Sequence, residues 1–137
     1  MPAYPRPVAS QTFLLEIGGV TLEGRFNDSA TAAAIAAACP LDIRLSRWGD
    51  EYYGDCGVVA GTEPDAREVM EIGEVAYWPP GRALCVFFGP TPASAGTEPR
   101  AASPVNPVGT LSGESDALTA ALSSLPGSVR ARLTLEG

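Results

Sequence analysis

Two kinds of hydrophobic spacing alternate along this chain. Phe13, Leu15 and Ile17 stand at every second position, Gly18-Gly19 follow, and Val20, Leu22 and Phe26 resume the period of two. Such spacing turns one face of each strand toward a core, and two glycines accept positive φ at both centres of a tight turn, so residues 13–26 predict a hairpin. The alternation stops at residues 30–39, which are nearly all alanine around Ile35. Asp28 or Ser29 supplies a cap and Pro40 a stop, which predicts a short helix slim enough to lie close on a sheet. Leu41, Ile43 and Leu45 then alternate with Asp42, Arg44 and Ser46, a strand running up to Trp48-Gly49, and Glu51-Tyr52-Tyr53 predicts another short one. Residues 54–73 mix acidic and apolar positions around Pro64 and predict short strands joined by loops.

The clearest stretch is EIGEVAYWPPGRALCVFFGPTP, residues 71–92. Val75 and Tyr77 alternate with Ala76 and Trp78, and Pro80-Gly81 suits the centre of a type II turn, with the glycine at positive φ. Ala83 to Phe88 is almost wholly apolar, the mark of a strand buried on both faces. Alternation sends at most one of Phe87 and Phe88 to the interior, so the other needs cover from a helix, a loop or a ligand. From Gly89 to Pro107 five prolines and no periodicity predict a long loop, of the kind that is either functional or disordered. A strand resumes at Val108–Leu111. A helix capped near Ser115 follows, with Leu118, Ala121 and Leu122 inward, and a last strand alternates Val129, Ala131, Leu133 and Leu135 with Arg130, Arg132 and Thr134. About seven or eight short strands with two helices and no internal repeat predict a mainly β domain, a closed barrel or a sandwich, its helices at the ends.

Composition narrows what this domain can do. The 137 residues suffice for one core, and 45% hydrophobic residues suffice to fill it. Residues 1–11, with three prolines and no pattern, are expected to form a flexible N-terminal tail ahead of a domain over residues 12–137. No apolar run approaches the roughly 20 residues of a membrane helix, and the N-terminal residues lack the apolar stretch of a secretory signal; the expectation is a cytoplasmic protein with no membrane partner. Nine arginines, no lysine and 16 acidic residues give a net charge of −7 without any adjacent basic pair, which argues against nucleic acid as a partner. With no histidine, Ser-His-Asp and Cys-His catalysis are excluded, as are most zinc sites. Cys39, Cys56 and Cys85 are odd in number and form no CxxC pair, so they predict small buried side chains rather than disulfides, with Cys56 in its Gly54-Gly57 turn the one to watch for exposure. Neither a cofactor nor a metal site is expected.

The 71–92 block closely resembles a family of small bacterial and archaeal proteins of cyclophilin-like fold, which carry an EIG-(D/E)-V-x-YWPPG-x-ALC-x-FFG-x-TP signature. Trp48-Gly49 followed by Glu51 and Tyr53, and SPVNPVG at 103–109, match as well, so the resemblance covers about residues 12–135. It implies an eight-stranded β-barrel closed by two short helices, and no activity, since fold alone does not specify function. Cyclophilins proper are prolyl isomerases that seat proline in an apolar pocket under an arginine, with a Phe and a Gln downstream and a His from another segment. This chain has no His and a single Gln, Gln11, and Arg82 lies beside the Pro-Gly turn, so that set is not recognisable here.

Three candidate features remain. Trp48, Tyr53, Tyr77, Trp78, Phe87 and Phe88 are either core or the walls of an aromatic pocket in which Glu51, Glu71 and Asn106 orient a ligand. The acidic residues between 50 and 74 are either a solvated face or, for Glu51 and Glu71, a facing acid/base pair; nothing there matches an EF-hand. The proline-rich loop is either a well-made loop or one wall of a groove. The leading expectation is a binding module for a small molecule or peptide, monomer or homodimer, with candidate residues Trp48, Glu51, Tyr53, Glu71, Trp78, Arg82, Phe87, Phe88 and Asn106. The alternatives are a divergent prolyl isomerase using Arg82 or Arg44, and a carboxylate enzyme using Glu51 and Glu71.

Overall fold

The computed structural model describes residues 11–136. Most of the expected tail, residues 1–10, lies outside them; Gln11, its last residue, accepts the Phe26 amide on its carbonyl at 3.1 Å. In chain order the elements are β1 (Thr12–Ile17), β2 (Val20–Phe26), α1 (Ala30–Ala38), β3 (Leu41–Arg47), β4 (Glu51–Asp55), β5 (Arg67–Val69), β6 (Glu74–Trp78), β7 (Ala83–Phe87), β8 (Arg100–Leu111), α2 (Ser115–Ser123) and β9 (Ser128–Glu136). All strand pairs are antiparallel and run β2-β1-β9-β3-β4-β7-β6-β8. The pairs Gly24↔Leu111 and Phe26↔Gly109 join β8 back to β2 and close these eight strands into a ring. Only β5 stands outside it, paired to the first half of β8. This is the closed eight-stranded architecture that the resemblance implies.

Alternation accounts for what lies inside. Phe13, Leu15 and Ile17 from β1, Ile43 and Leu45 from β3, Val75 and Tyr77 from β6 and Leu84 and Val86 from β7 converge in one core, each at most 4% exposed. Ser29 caps α1 by accepting the Ala32 amide on its hydroxyl at 3.1 Å, and Ala32, Ile35 and Ala36 enter the same core. From α2 come Leu118 and Leu122. The residue at the α2 N-cap is Glu114, which makes no side-chain cap, so the expected cap near Ser115 is not used.

Three local expectations are corrected. Pro79–Gly81 form a 3-10 turn, and the residue with positive φ is Arg82 (φ 48°), not Gly81. Gly81 is required for space instead: a Cβ there would lie 2.8 Å from the Trp78 ring. The loop predicted up to Pro107 ends at Pro99, because β8 begins at Arg100 and carries Pro104 and Pro107 within it. Both its ladders are irregular in this region, with register shifts opposite Arg67/Val69 and Val75/Ala76, and such breaks are where a strand tolerates a residue lacking an N–H. In β9 the inward series stops at Leu133; Leu135 is 41% exposed.

The seam that closes the ring sets a size limit. A Cβ on Gly109 would sit 2.6 Å from the Arg25 carbonyl oxygen on the facing strand and 3.3 Å from the Phe13 ring. Gly109→Ala is therefore expected to force β8 away from β2 and to cost about 1–3 kcal/mol, seen as a lowered midpoint in urea unfolding. A midpoint equal to wild type would show that the seam has slack.

Candidate functional site

Strand β7 has no polar face, and its outward side chains need a second layer. Ala83, Cys85 and Phe87 point away from the ring interior and, with Ala76, Met70, Ala101 and Val105, make a small outer core, separate from the main one. Phe88, one residue on, lies in the main core stacked on Tyr52 at 5.6 Å between ring centroids. The two phenylalanines thus divide as the alternation requires. Cover for the outer core comes from Met70, just past β5, and from the first half of β8, the stretch that composition presented as loop.

The β4 register carries this outer face to its polar neighbour. Glu51 is opposite Phe87 and Tyr53 opposite Cys85, while Trp78 of β6 is opposite Ala83. All three therefore project on the outer side of the sheet. Trp48 joins them through a tight hairpin in which Trp48 and Glu51 exchange backbone hydrogen bonds of 2.8 and 3.2 Å. The Arg47 guanidinium braces the turn, donating to the Gly49 carbonyl and to Asp50, each at 2.8 Å. Between these side chains and Ala101, Ala102 and Val105 of β8 lies a cavity of about 240 Å³. The Trp78 indole N–H is already committed, donating to Ser103 Oγ at 2.7 Å, which fixes the ring and leaves its faces as wall.

Glu51 is the anomaly of the site. Its side chain lines the cavity in a residue only 5% exposed, and its Oε1 is buried with no hydrogen-bond partner among the described residues. Burial pushes its pKa up to about 7, tempered by the neighbouring Cys85 thiol. That thiol is itself pushed well above the ordinary cysteine value, first by complete burial and then by the Glu51 carboxylate. A carboxyl near neutrality, walled by two indoles and a phenol, can accept a hydrogen bond, neutralise a cation or exchange a proton.

The other candidates go elsewhere. Glu71 sits in the exposed turn before β6, its amide donating to Glu74 Oε1 at 2.8 Å, and does not line the cavity that Glu51 lines. Arg82 is tied to Asp55 at 2.8 Å with both side chains half exposed. Asn106 is fully buried but spent: it accepts the Glu63 amide at 2.9 Å and donates to Gly61 O at 2.8 Å and Thr31 Oγ1 at 3.0 Å, fastening residues 61–63 to the ring. Phe87 is part of the outer core and Phe88 of the inner one. Cys56 is buried, and Cys39 is the partly exposed thiol. The sequence reading missed Ala101, Ala102, Val105 and Cys85. The alternation of Ala101, Ser103 and Val105 was available as a signal, masked by Pro104.

Among the described residues no helix is long and apolar enough to cross a membrane, and no group of His, Cys, Asp and Glu is placed to hold a metal ion. Residues 11–129 match the model of a protein family described as cyclophilin-like. The chain is also similar to a hypothetical protein from Archaeoglobus fulgidus whose solution structure is known, at 32% identity over 94% of this chain and 96% of that one, with a TM-score of 0.75. No curated protein matches the sequence.

Two predictions separate the structural polar group from the open one. Glu51 holds its proton longer in the folded protein than in the unfolded chain, where the ordinary value is 4.5. The stability tied to that proton is intact below about pH 4.5 and is lost as pH rises through about 7. Glu51→Gln should therefore gain on wild type by about 2–3 kcal/mol between about pH 5 and pH 8 in urea titrations; a constant difference would refute the burial argument. Asn106→Leu leaves the Glu63 amide and the Gly61 carbonyl unpartnered and should lose about 3 kcal/mol at every pH, with the fluorescence of Trp48 and Trp78 unchanged in the folded state.

Proposed function

The chain belongs to the cyclophilin-like family, and we propose that it is a binding module whose ligand enters the outer-face pocket between Trp48, Tyr53 and Trp78. The observation that carries this reading is the Glu51 carboxyl in the wall of an apolar cavity, one of its oxygens buried without a hydrogen-bond partner among the described residues. Leaving a buried polar atom unsatisfied costs about 1–3 kcal/mol, and such groups are few in native proteins, so each calls for a reason. A ligand that supplies the missing partner is such a reason. The volume suits a group the size of one or two rings: it exceeds the roughly 150 Å³ that holds benzene and falls below the roughly 300–1,000 Å³ of drug-sized sites.

The arginines support binding over isomerisation. Prolyl isomerisation by an arginine over an apolar pocket needs a guanidinium at that pocket, and no arginine among the described residues lines this one. Arg82 is held by Asp55, and the Arg44 guanidinium is 3.4 Å from Ser128 Oγ on the surface of β3 and β9. The carboxylate-enzyme reading loses support in the same way, because Glu71 does not share the cavity with Glu51.

Both tryptophans of the chain line the pocket, so intrinsic fluorescence excited at the indole band reports on this site alone. A library of soluble single-ring compounds should include members that shift the emission saturably. Ala102→Phe, an exposed rim position, should weaken those compounds at least about tenfold while leaving the unfolding midpoint within about 0.5 kcal/mol of wild type. Absence of any saturable shift, together with acceleration of an Ala-Pro peptide in a protease-coupled assay, would replace this reading with the isomerase one.

A further inference from the structure

The chemistry of the pocket restricts what can complete it, and the restriction rests on the binding reading above. Its polar inventory is short. The Trp78 N–H is used by Ser103, and the β8 wall consists of Ala101, Ala102 and Val105. The Tyr53 hydroxyl and the Trp48 indole N–H are also without a partner among the described residues, but both belong to partly exposed side chains that water reaches; the unspent group that is buried is an acceptor, the Glu51 carboxyl. The remaining surface is aromatic: two indoles and a phenol, whose faces carry negative potential and attract cations within about 6 Å of the ring centroid. An acceptor that can be anionic and three electron-rich rings all ask for the same complement. From these we infer that the pocket binds a protonated alkylamine, its ammonium N–H donating to the Glu51 carboxylate and its carbon substituents lying on Trp48, Tyr53 and Trp78.

Three further points agree. Among the described residues no cationic side chain lines the cavity, so there the ligand's positive charge meets neither a competitor nor repulsion. The net charge of −7 draws small cations toward the protein as a whole. An ammonium also relieves the cost that burial imposes on the Glu51 carboxylate, since a paired buried charge is far less costly than an isolated one. The ionisable groups facing Glu51 are the Cys85 thiol from β7 and the Tyr53 phenol along its own strand; the β6 and β8 walls and Trp48 carry none. Glu51 is thus the group that titrates at neutral pH in this pocket, and the inference acquires a sign. Amine binding requires the carboxylate and strengthens as pH rises through about 7. A neutral amide, pairing donor to acceptor with the protonated acid, would do the opposite.

The test uses three compounds that share one ring: benzylammonium, benzyl alcohol and benzamide, each titrated by intrinsic fluorescence and by calorimetry. Benzylammonium should bind at least about tenfold more tightly than benzyl alcohol at about pH 8, and should weaken about tenfold on going to about pH 6 as Glu51 takes up its proton. Glu51→Gln should abolish both the preference and the pH dependence, and a cooperative urea transition of the variant checks that the domain is still folded. Equal binding of amine and alcohol would overturn the inference and leave the apolar binding module standing, and so would benzamide binding most tightly and strengthening in acid. No response to any of the three would count against both. A capped Ala-Lys-Ala peptide run in parallel identifies the source of the amine: tighter binding than benzylammonium points to a lysine side chain, weaker binding to a free small amine.

Discussion

A strand with no polar face needs cover on both sides, and β7 is that strand. Its inward residues Leu84 and Val86 require the closed ring, and its outward residues Ala83, Cys85 and Phe87 require a second apolar layer outside it. Either layer alone would leave part of the sheet's most apolar segment in water, at roughly 25 cal/mol for each Å² of apolar surface left exposed. The position of β5, the extended course of the first half of β8 and the existence of an outer pocket all answer to that demand. Glu51 becomes buried for the same reason: it is the ladder partner of Phe87, and the layer that covers one covers the other.

Much of this was legible in the residues. Period-two spacing placed β1, β2, β3, β6 and β9 and assigned their inward positions apart from Leu135, because for a half-buried strand the pattern is the fold. The apolar run at 83–88 announced burial on both faces before either cover was known. Trp48, Glu51, Tyr53 and Trp78 were picked out of the motif and do meet. What the sequence concealed was the other wall. Prolines at 104 and 107 read as loop because a proline removes a ladder donor, whereas β8 places them where its ladders shift register. Arg82 could not be excluded from the site until its left-handed backbone and its pairing with Asp55 were visible. Nor does any spacing rule tell a spent buried polar residue from an unspent one.

Asn106 and Glu51 make that last difference concrete. Both are buried polar side chains on strands of the same sheet, one with its amide fully engaged and the other with an oxygen left over. The first behaves as part of the scaffold, joining α1 and residues 61–63 to β8. The second holds the one buried side-chain polar atom without a hydrogen-bond partner among the described residues.

The outer layer is assembled from small parts. Ala76, Ala83 and Ala101 pave it and Ala102 forms its rim, while the bulky residues that hold the ring shut belong to the separate inner core. Replacing Ala101 or Ala102 by a larger residue, or shortening Val105, would reshape the cavity at positions that belong to no part of the inner core. Descendants of one ancestral barrel could on this plan part company in what they recognise after very few substitutions, so that shared ancestry within such a lineage is a good guide to architecture and a poor one to chemical preference.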